Sequence, residues 1–187
     1  MLDDNLRKRA EENDVQAVFD LAMAYFIGEE VEEDNDKAFS LFCKVIALDP
    51  DFTNVYSRIG RCYENGWGTQ QNLGKAIEMF TKGAQHNSSA CHYYLALAYE
   101  KGKGVPQNDQ LAIHHHRIAA ELGDSDSMVE LGNRYRRGIG LEKDDATATA
   151  YYRKAADLNN ANGLYGLAKA YYNGLGVEKD VPLSSQL

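Results

Sequence analysis

One skeleton recurs about every 36 residues along this chain of 187 residues, and the repetition constrains the fold more than any other feature. Each copy opens with an apolar residue in the same local context. The five opening residues are Leu21, Ile59, Leu95, Leu131 and Leu167. A fixed period of this size is typical of stacked supersecondary units, none of which can bury its apolar face alone.

The first half of each copy has the pattern of an amphipathic helix, named helix A here. A small residue follows the opening residue directly, as close packing of two helices requires: Ala22, Gly60, Ala96, Gly132 and Ala168. A tyrosine follows four residues after the opening residue: Tyr25, Tyr63, Tyr99, Tyr135 and Tyr171. Positions i and i+4 share one face of a helix, so these columns predict the buried stripe of helix A.

A turn and a second helix, helix B, complete each copy. A glycine suited to a left-handed C-cap stands seven residues after the opening residue: Gly28, Gly66, Gly102, Gly138 and Gly174. Aspartate or asparagine then stands where the N-cap of helix B is expected: Asp34, Asn72, Asn108, Asp144 and Asp180. Helix B carries a ring in its core column: Phe42, Phe80, His116 and Tyr152. Because the turn is short, the two helices of a copy are predicted to run antiparallel in an all-α fold.

These boundaries predict a single repeat array over residues 1–187. It divides into an N-terminal cap helix (1–12), repeat 1 (13–49), repeat 2 (50–87), repeat 3 (88–123), repeat 4 (124–159) and a partial repeat 5 (160–187). The segment VPLSSQL stands where a fifth helix B would begin. It is either a short cap or the cut edge of a longer array. Leu167 and Tyr171 would otherwise lack a covering helix, which favours truncation.

Charge and cysteine usage narrow the partners and the compartment. A net charge of −8 argues against a nucleic-acid partner, which would require a basic face. No apolar run predicts a membrane span, and the first residues lack the apolar stretch of a secretory signal. A cytoplasmic protein is expected, or a secreted form whose leader has been removed. The spacing of Cys43, Cys62 and Cys91 matches no zinc or redox motif, so all three are predicted to be small buried hydrophobes.

Metal binding, cofactor binding and catalysis find no support in the motifs. The consecutive residues His114, His115 and His116 point about 100° apart on a helix and cannot share one ion. His116 belongs to the core column, and the other two are expected at the surface. Cys62, Cys91 and His92 could approach one another, but packing columns explain all three positions. No nucleophile and base pair is visible, and no phosphate-binding loop or metalloprotease motif occurs.

With its columns aligned, the sequence resembles the Sel1-like repeat family, a relative of the tetratricopeptide repeat, over roughly residues 13–181. The Gly-x-Gly-Val-x-x-Asp turn carries the resemblance, and its best copies lie at 60–76, 96–112 and 131–148. The resemblance implies a right-handed αα superhelix, or solenoid, of about five helix-turn-helix repeats whose concave face is lined by A helices. It also implies a non-catalytic scaffold or adaptor for protein interaction.

Three positions on each A helix lie opposite the core stripe, which the resemblance places on the concave face: two before, two after and five after the opening residue. Eight residues at these positions are predicted to bind a protein or peptide: Arg61, Tyr93, Leu97, Asn133, Arg136, Tyr165, Lys169 and Tyr172. In this interpretation the tyrosines supply flat contacts, while the cations and the amide orient an extended peptide or an acidic terminus. The alternative is that the apolar members pack within the stack.

Two other functions remain open from the sequence. The chain could be a structural or regulatory subunit that binds through its B helices or its end repeats, for example as a homo-oligomer. It could also be a hydrolase, an activity claimed for cysteine-rich relatives. The paired cysteines of those relatives are missing here, which weighs against the second alternative.

Overall fold

The computed structural model describes residues 4–186, and all regular secondary structure in that range is α-helical, as predicted. The helices are α1 (Asp4–Glu11), α2 (Val15–Ile27), α3 (Asn35–Leu48), α4 (Asn54–Asn65), α5 (Leu73–Gln85), α6 (Ser89–Lys101), α7 (Asp109–Glu121), α8 (Ser125–Arg137), α9 (Asp145–Asp157), α10 (Ala161–Asn173) and α11 (Val181–Ser184). After α1, the even-numbered helices are A helices and the odd-numbered ones are B helices. None of the helices between residues 4 and 186 combines the length and apolar character needed to cross a membrane.

The turn between helices A and B is closed by a fixed set of bonds, seen clearly in repeat 2. Gly66 takes a left-handed conformation with φ of 77°, and its N–H donates to the Cys62 carbonyl, which ends α4. The Asn72 side chain then accepts a hydrogen bond from the backbone N–H of Lys75 and caps α5. The predicted C-cap and N-cap are therefore both present in this repeat.

A backbone hydrogen bond ties the tyrosine column to the N-cap column in all five repeats. The N–H of each N-cap residue donates to the carbonyl of the tyrosine nine residues earlier, at 2.8–2.9 Å. The pairs are Asp34 with Tyr25, Asn72 with Tyr63, Asn108 with Tyr99, Asp144 with Tyr135, and Asp180 with Tyr171. Each N-cap side chain also accepts from a backbone N–H in its own B helix. The constant spacing of the two columns thus has a direct structural cause.

The second glycine of the turn is needed for close backbone packing between repeats. A Cβ at Gly68 would collide with the backbone carbonyl of Asn35, at the start of the preceding B helix. A Cβ at Gly176 would collide in the same way with the carbonyl of Asp145. Nearby, the Thr149 hydroxyl donates to the Leu175 carbonyl at 2.7 Å. The turn of one repeat therefore lies against the first residues of the preceding repeat's B helix.

The described residues form two compact units, the first of which includes residues 4–94 and 103–105. Within it, α1 packs on α2, α2 on α3, α3 on α4, and α4 on α5. Phe42, Val55 and Phe80 are buried in its core. A Cβ on Gly60 would overlap the Phe80 ring, which explains why a small residue follows the opening residue here.

The second unit includes residues 95–102 and 106–186. Here α8 packs on α7 and α9, while α10 packs on α9 and α11 and also contacts α8. Its core includes Ile113, Leu131, Tyr152 and Leu167. The first four residues of the VPLSSQL segment form the short helix α11 (Val181–Ser184), whose N-cap is Asp180.

Candidate functional site

The eight predicted binding residues lie on four A helices, and their side chains are called the A-helix face below. Arg61 lies on α4; Tyr93 and Leu97 lie on α6; Asn133 and Arg136 lie on α8; Tyr165, Lys169 and Tyr172 lie on α10. Arg61 and Tyr93 belong to the first unit, and the other six belong to the second. The two units present very different environments to these residues.

In the first unit, the Arg61 guanidinium is already engaged within the protein. Its Nη1 donates to the Tyr94 hydroxyl at 2.9 Å. The guanidinium carbon lies 5.0 Å from the centroid of the Trp67 ring and 5.2 Å from that of Tyr94, within the range of cation–π attraction. Glu64 adds a carboxylate 3.8 Å from Nε. Arg61 therefore stabilises its own surroundings and has little capacity left for a ligand.

The apolar residues of the first unit's A helices pack inward. The Phe19 ring lies 5.9 Å from Phe42 and 5.1 Å from Phe52, and the Phe26 ring lies 5.4 Å from Trp67. Tyr93 is half-buried. For this unit the packing interpretation describes most of the apolar positions better than the binding interpretation. Leu97 lies further along α6, in the second unit, and is also half-buried.

In the second unit, a buried phenol lies beside two of the predicted residues. The Tyr152 hydroxyl donates to Asn133 Oδ1 at 2.9 Å, and the positive charge of Arg136 lies close enough to this phenol to offset part of the rise that burial causes in its pKa. Burial raises the pKa of Tyr152, so the phenol keeps its proton near neutral pH. Asn133 and Arg136 thus both lie beside a core residue of α9.

The ring of Tyr152 reaches this position because glycines stand on both sides of it. A Cβ at Gly132 on α8 would lie 2.7 Å from the ring, and a Cβ at Gly166 on α10 would lie 2.6 Å from it. Real Cβ atoms do not approach so closely, so only glycine leaves room for the ring at these two positions. The geometry of Asn133 and Arg136 therefore depends on residues that were predicted only as packing residues or were not predicted at all.

Arg134 is the residue of this region that the sequence analysis missed. It is only 2% exposed, yet its guanidinium lies 2.6 Å from Glu100, 3.3 Å from Glu130 and 3.6 Å from Asp109. Burial and the Glu100 carboxylate raise the pKa of Glu130, and Arg134 offsets part of that rise. A signal existed in the sequence, since the equivalent positions of the other repeats hold only small residues: Ala24, Cys62, Ala98 and Ala170.

The three predicted residues on α10 lie largely in solvent. Tyr165 is 68% exposed and Tyr172 is 56% exposed, which is unusual for such large side chains. The Lys169 ammonium lies 5.9 Å from the Tyr165 ring centroid, and the Lys179 ammonium lies 5.7 Å from that of Tyr172. This stretch of the A-helix face therefore offers two exposed rings, each with a cation beside it.

The candidate metal ligands are explained by packing. His116 is fully buried as predicted, and its Nδ1 lies 3.1 Å from the Ser127 hydroxyl. His114 is exposed, whereas His115 is half-buried and stacks on Tyr99 with 5.6 Å between ring centroids. Between residues 4 and 186, no group of three or more His, Cys, Asp or Glu side chains could hold a metal ion.

The cysteines divide into two environments. Cys62 and Cys91 are buried as predicted, and burial raises the pKa of each thiol to about 11. The prediction is wrong for Cys43, which is exposed. Cys43 directly follows the buried Phe42 on α3, and adjacent helical residues point about 100° apart, so its side chain leaves the core stripe.

Comparison with known proteins identifies the repeat. The Sel1 repeat profile matches the chain at residues 15–49, 55–88, 89–124, 125–160 and 161–184. Comparison with curated protein sequences gives no match.

Two solved structures resemble the chain over most of its length. The Sel1 repeat protein from Oxalobacter formigenes is 28% identical, with a TM-score of 0.82, covering 90% of this chain and 68% of that protein. The antigen c5321 of uropathogenic Escherichia coli, described as protective and as displaying an SLR fold, is 29% identical, with a TM-score of 0.81 over 96% of this chain. The chain spans only 38% of the length of that antigen.

Proposed function

This chain belongs to the Sel1 repeat family, and from that premise we propose that it is a non-catalytic scaffold for protein interaction. Sel1 repeat proteins generally mediate contacts between proteins, and the family is generally not enzymatic. The finer proposal is that the chain acts as an adaptor and holds a peptide or a protein surface against the A-helix face. The partner is a protein, with no role for nucleic acid.

The observation that carries this proposal is the exposure of Tyr165 and Tyr172 on one helix. Aromatic side chains are enriched at protein interfaces, where a rigid ring supplies a large contact area at a small cost in side-chain entropy. Leaving two such rings in water gains nothing for the fold of a single chain. Their position on the predicted binding columns of α10 makes the A-helix face the preferred binding surface.

The absence of catalysis and the cytoplasmic location are parts of the same proposal. The pKa values of the buried Cys62 and Cys91 thiols, raised to about 11, leave almost no thiolate for nucleophilic attack near neutral pH. All three cysteines are free, as expected in a reducing compartment.

Site-specific crosslinking tests the proposal directly. A photoreactive phenylalanine analogue replaces Tyr165 in one variant and Lys154, on the B helix α9, in another. Capture of a partner from Tyr165 but not from Lys154 is expected. Capture from Lys154 alone would place the partner on the B helices and contradict binding through the A-helix face.

A structural or regulatory subunit that binds through its B helices is the second candidate function. Leu122 and Leu158 favour it, because they occupy equivalent positions after α7 and α9 and are 41% and 52% exposed. Such leucines could also support a homo-oligomer, including one formed through the end repeats. Light scattering over a range of concentrations tests this candidate, and a strict monomer at high concentration would contradict the homo-oligomer.

A further inference from the structure

We propose that the A-helix face of α8 and α10 selects acidic segments of an extended peptide. This inference rests on the proposed scaffold function and specifies the chemistry of the partner. The surface concerned consists of Arg136, Tyr165, Lys169 and Tyr172 of that face together with Lys179 from the turn after α10, and it is called the basic tyrosine surface below.

Two other cations of the A helices, Arg61 and Arg134, are compensated internally. Arg61 faces Glu64 and two aromatic rings, and Arg134 faces three carboxylates. Across residues 4–186, by contrast, Arg136, Lys169 and Lys179 have no carboxylate within 4 Å. Lys169 on α10 and Lys179 in the turn after it are thus cations that no carboxylate neutralises, in a protein whose net charge is −8.

The acidic residues of the same two helices are already engaged. The helix α10 contains no aspartate or glutamate. On α8, Asp126 accepts a hydrogen bond from the Asn160 amide at 2.8 Å, and Glu130 pairs with the buried Arg134. The charges of the basic tyrosine surface are therefore available to carboxylates supplied by another molecule.

The two tyrosines determine what kind of acidic ligand fits. Each has an ammonium group beside its ring, at 5.9 Å for Lys169 and 5.7 Å for Lys179. A carboxylate bound by either lysine would come close to an exposed ring, against which a neighbouring apolar side chain of the ligand could pack. An extended peptide in which acidic and apolar residues alternate offers a carboxylate to each lysine and an apolar side chain to each ring.

The third cation, Arg136, lies beside a buried phenol. Its charge is close enough to the Tyr152 hydroxyl to oppose the rise that burial causes in the pKa of that phenol, and the same hydroxyl donates to Asn133. The Tyr152 ring itself is buried between Gly132 and Gly166. A planar guanidinium at this place is suited to bidentate recognition of a carboxylate.

A peptide fits these observations better than a nucleic acid does. The overall negative charge repels a polyanion whose phosphates extend well beyond the basic tyrosine surface. A short acidic segment places its charge only where the cations are, and screening limits the repulsion from more distant carboxylates to about 10 Å at moderate salt.

Selection from a random displayed-peptide library tests the inference with the intact protein. Acidic peptides with interspersed apolar residues are expected to be enriched. Synthetic copies of them should bind about tenfold more weakly to the Lys169→Glu/Lys179→Glu variant and should weaken as salt is raised. The matched control is Lys154→Glu, because Lys154 also lies over a tyrosine ring, that of Tyr151, but on the B helix α9. Its affinity should stay within about twofold of the original.

Any of four results would overturn the inference. Enriched peptides that are neutral or basic, yet lose binding in the Tyr165→Ala/Tyr172→Ala variant, would reject acidic selection and leave the scaffold function standing. Acidic peptides bound equally by the double lysine variant, or an oligothymidylate bound as tightly as the peptides, would reject the basic tyrosine surface as an acidic-peptide site. Recovery of no peptide at all would contradict the inference and peptide binding by the scaffold together.

Discussion

The Arg134 guanidinium donates to the Glu100 carboxylate at 2.6 Å from a position that the other repeats fill with alanine or cysteine. The arginine is buried, while Glu100 remains partly exposed at the surface. A buried positive charge is stable only with carboxylates close to it, and this one stands where the other repeats have small side chains. Glu130 and Asp109 supply two further carboxylates beside Glu100. This repeat thus replaces part of an apolar contact with an ionic one.

Replacing Arg134 with alanine is expected to destabilise the second unit, although alanine is the usual residue of that column. The change leaves Glu100 and Glu130 facing each other without their cation, which should cost about 3 kcal/mol in the free energy of unfolding. Urea unfolding followed by far-UV circular dichroism measures the loss. Arg137→Ala, an exposed neighbour, should change the free energy by less than about 0.5 kcal/mol.

A second variant separates the charge effect from the loss of packing. Adding Glu100→Gln and Glu130→Gln to Arg134→Ala removes the uncompensated carboxylates and should restore a large part of the stability. Equal midpoints for the wild type and the single variant would mean that the ion pairs contribute nothing to folding.

The fold could be predicted because its determinants are local and repeated. Each C-cap glycine and each N-cap acts within a few residues of its position, and each core ring recurs at a fixed place in the repeat, so the copies of one pattern were enough to identify them. The exposed Cys43 escaped the same reasoning because it was judged by residue type and not by its place beside Phe42 on α3.

The candidate site was harder to predict because its contacts join residues from different repeats. A helical wheel places Arg61 on the face of α4 opposite the core stripe. It cannot show that the rings of Trp67 and Tyr94 lie against the guanidinium. Arg134 was missed for a related reason. Its three carboxylate partners lie on α6, α7 and α8, and no pattern within one helix brings them together.

Substituting Gly132 tests the close approach between α8 and Tyr152. Alanine favours a helix over glycine by about 1 kcal/mol, but its Cβ would lie 2.7 Å from the ring. Overpacking should win and destabilise the protein by about 1–3 kcal/mol. The matched control is Gly74→Ala on α5, where the nearest atom to a new Cβ is Asn72 Oδ1 at 3.4 Å. Thermal unfolding should show a lower midpoint for the first variant and an equal or higher one for the second.

His116 should make stability depend on pH in a defined window. Burial, the Arg134 charge and His115 lower the pKa of His116 from 6.5 to about 4. The unfolded chain therefore binds a proton between these pH values that the folded chain excludes. Stability is fully present above pH 6.5 and falls as the pH drops toward 4, by at most about 1.4 kcal/mol per pH unit from this group.

The His116→Phe variant isolates that contribution, because phenylalanine fills the same column at Phe42 and Phe80. Denaturant unfolding of both proteins across this window should give curves that diverge as the pH falls, with the variant losing less stability. Parallel curves would show that His116 is protonated as easily in the folded state as in the unfolded state.

The three thiols should differ in reactivity in the native protein. Cys43 is exposed, whereas Cys62 and Cys91 are buried and have pKa values raised to about 11. Brief treatment with a maleimide should modify only Cys43, as read by mass spectrometry of peptides. The native Cys43→Ser variant should then react only slowly with the maleimide. Once unfolded, it should react at both Cys62 and Cys91. Rapid labelling of Cys91 in the native protein would contradict the burial of this side chain.

Arg61 and Trp67 allow the two ends of the A-helix face to be compared. Trp67 is the single tryptophan of the chain, so its fluorescence reports the guanidinium 5.0 Å from its ring. Arg61→Ala should change the emission and, because this side chain is 33% exposed, lower the free energy of unfolding by no more than about 1 kcal/mol. Lys103→Ala, which removes the other cation beside Glu64, should leave the emission nearly unchanged.

Since the Arg61 guanidinium is occupied internally, the Arg61→Ala variant should also keep the affinity for acidic peptides that Lys169→Glu/Lys179→Glu loses. Loss of that affinity in Arg61→Ala would extend the acidic-peptide site to α4 and contradict its assignment to α8 and α10.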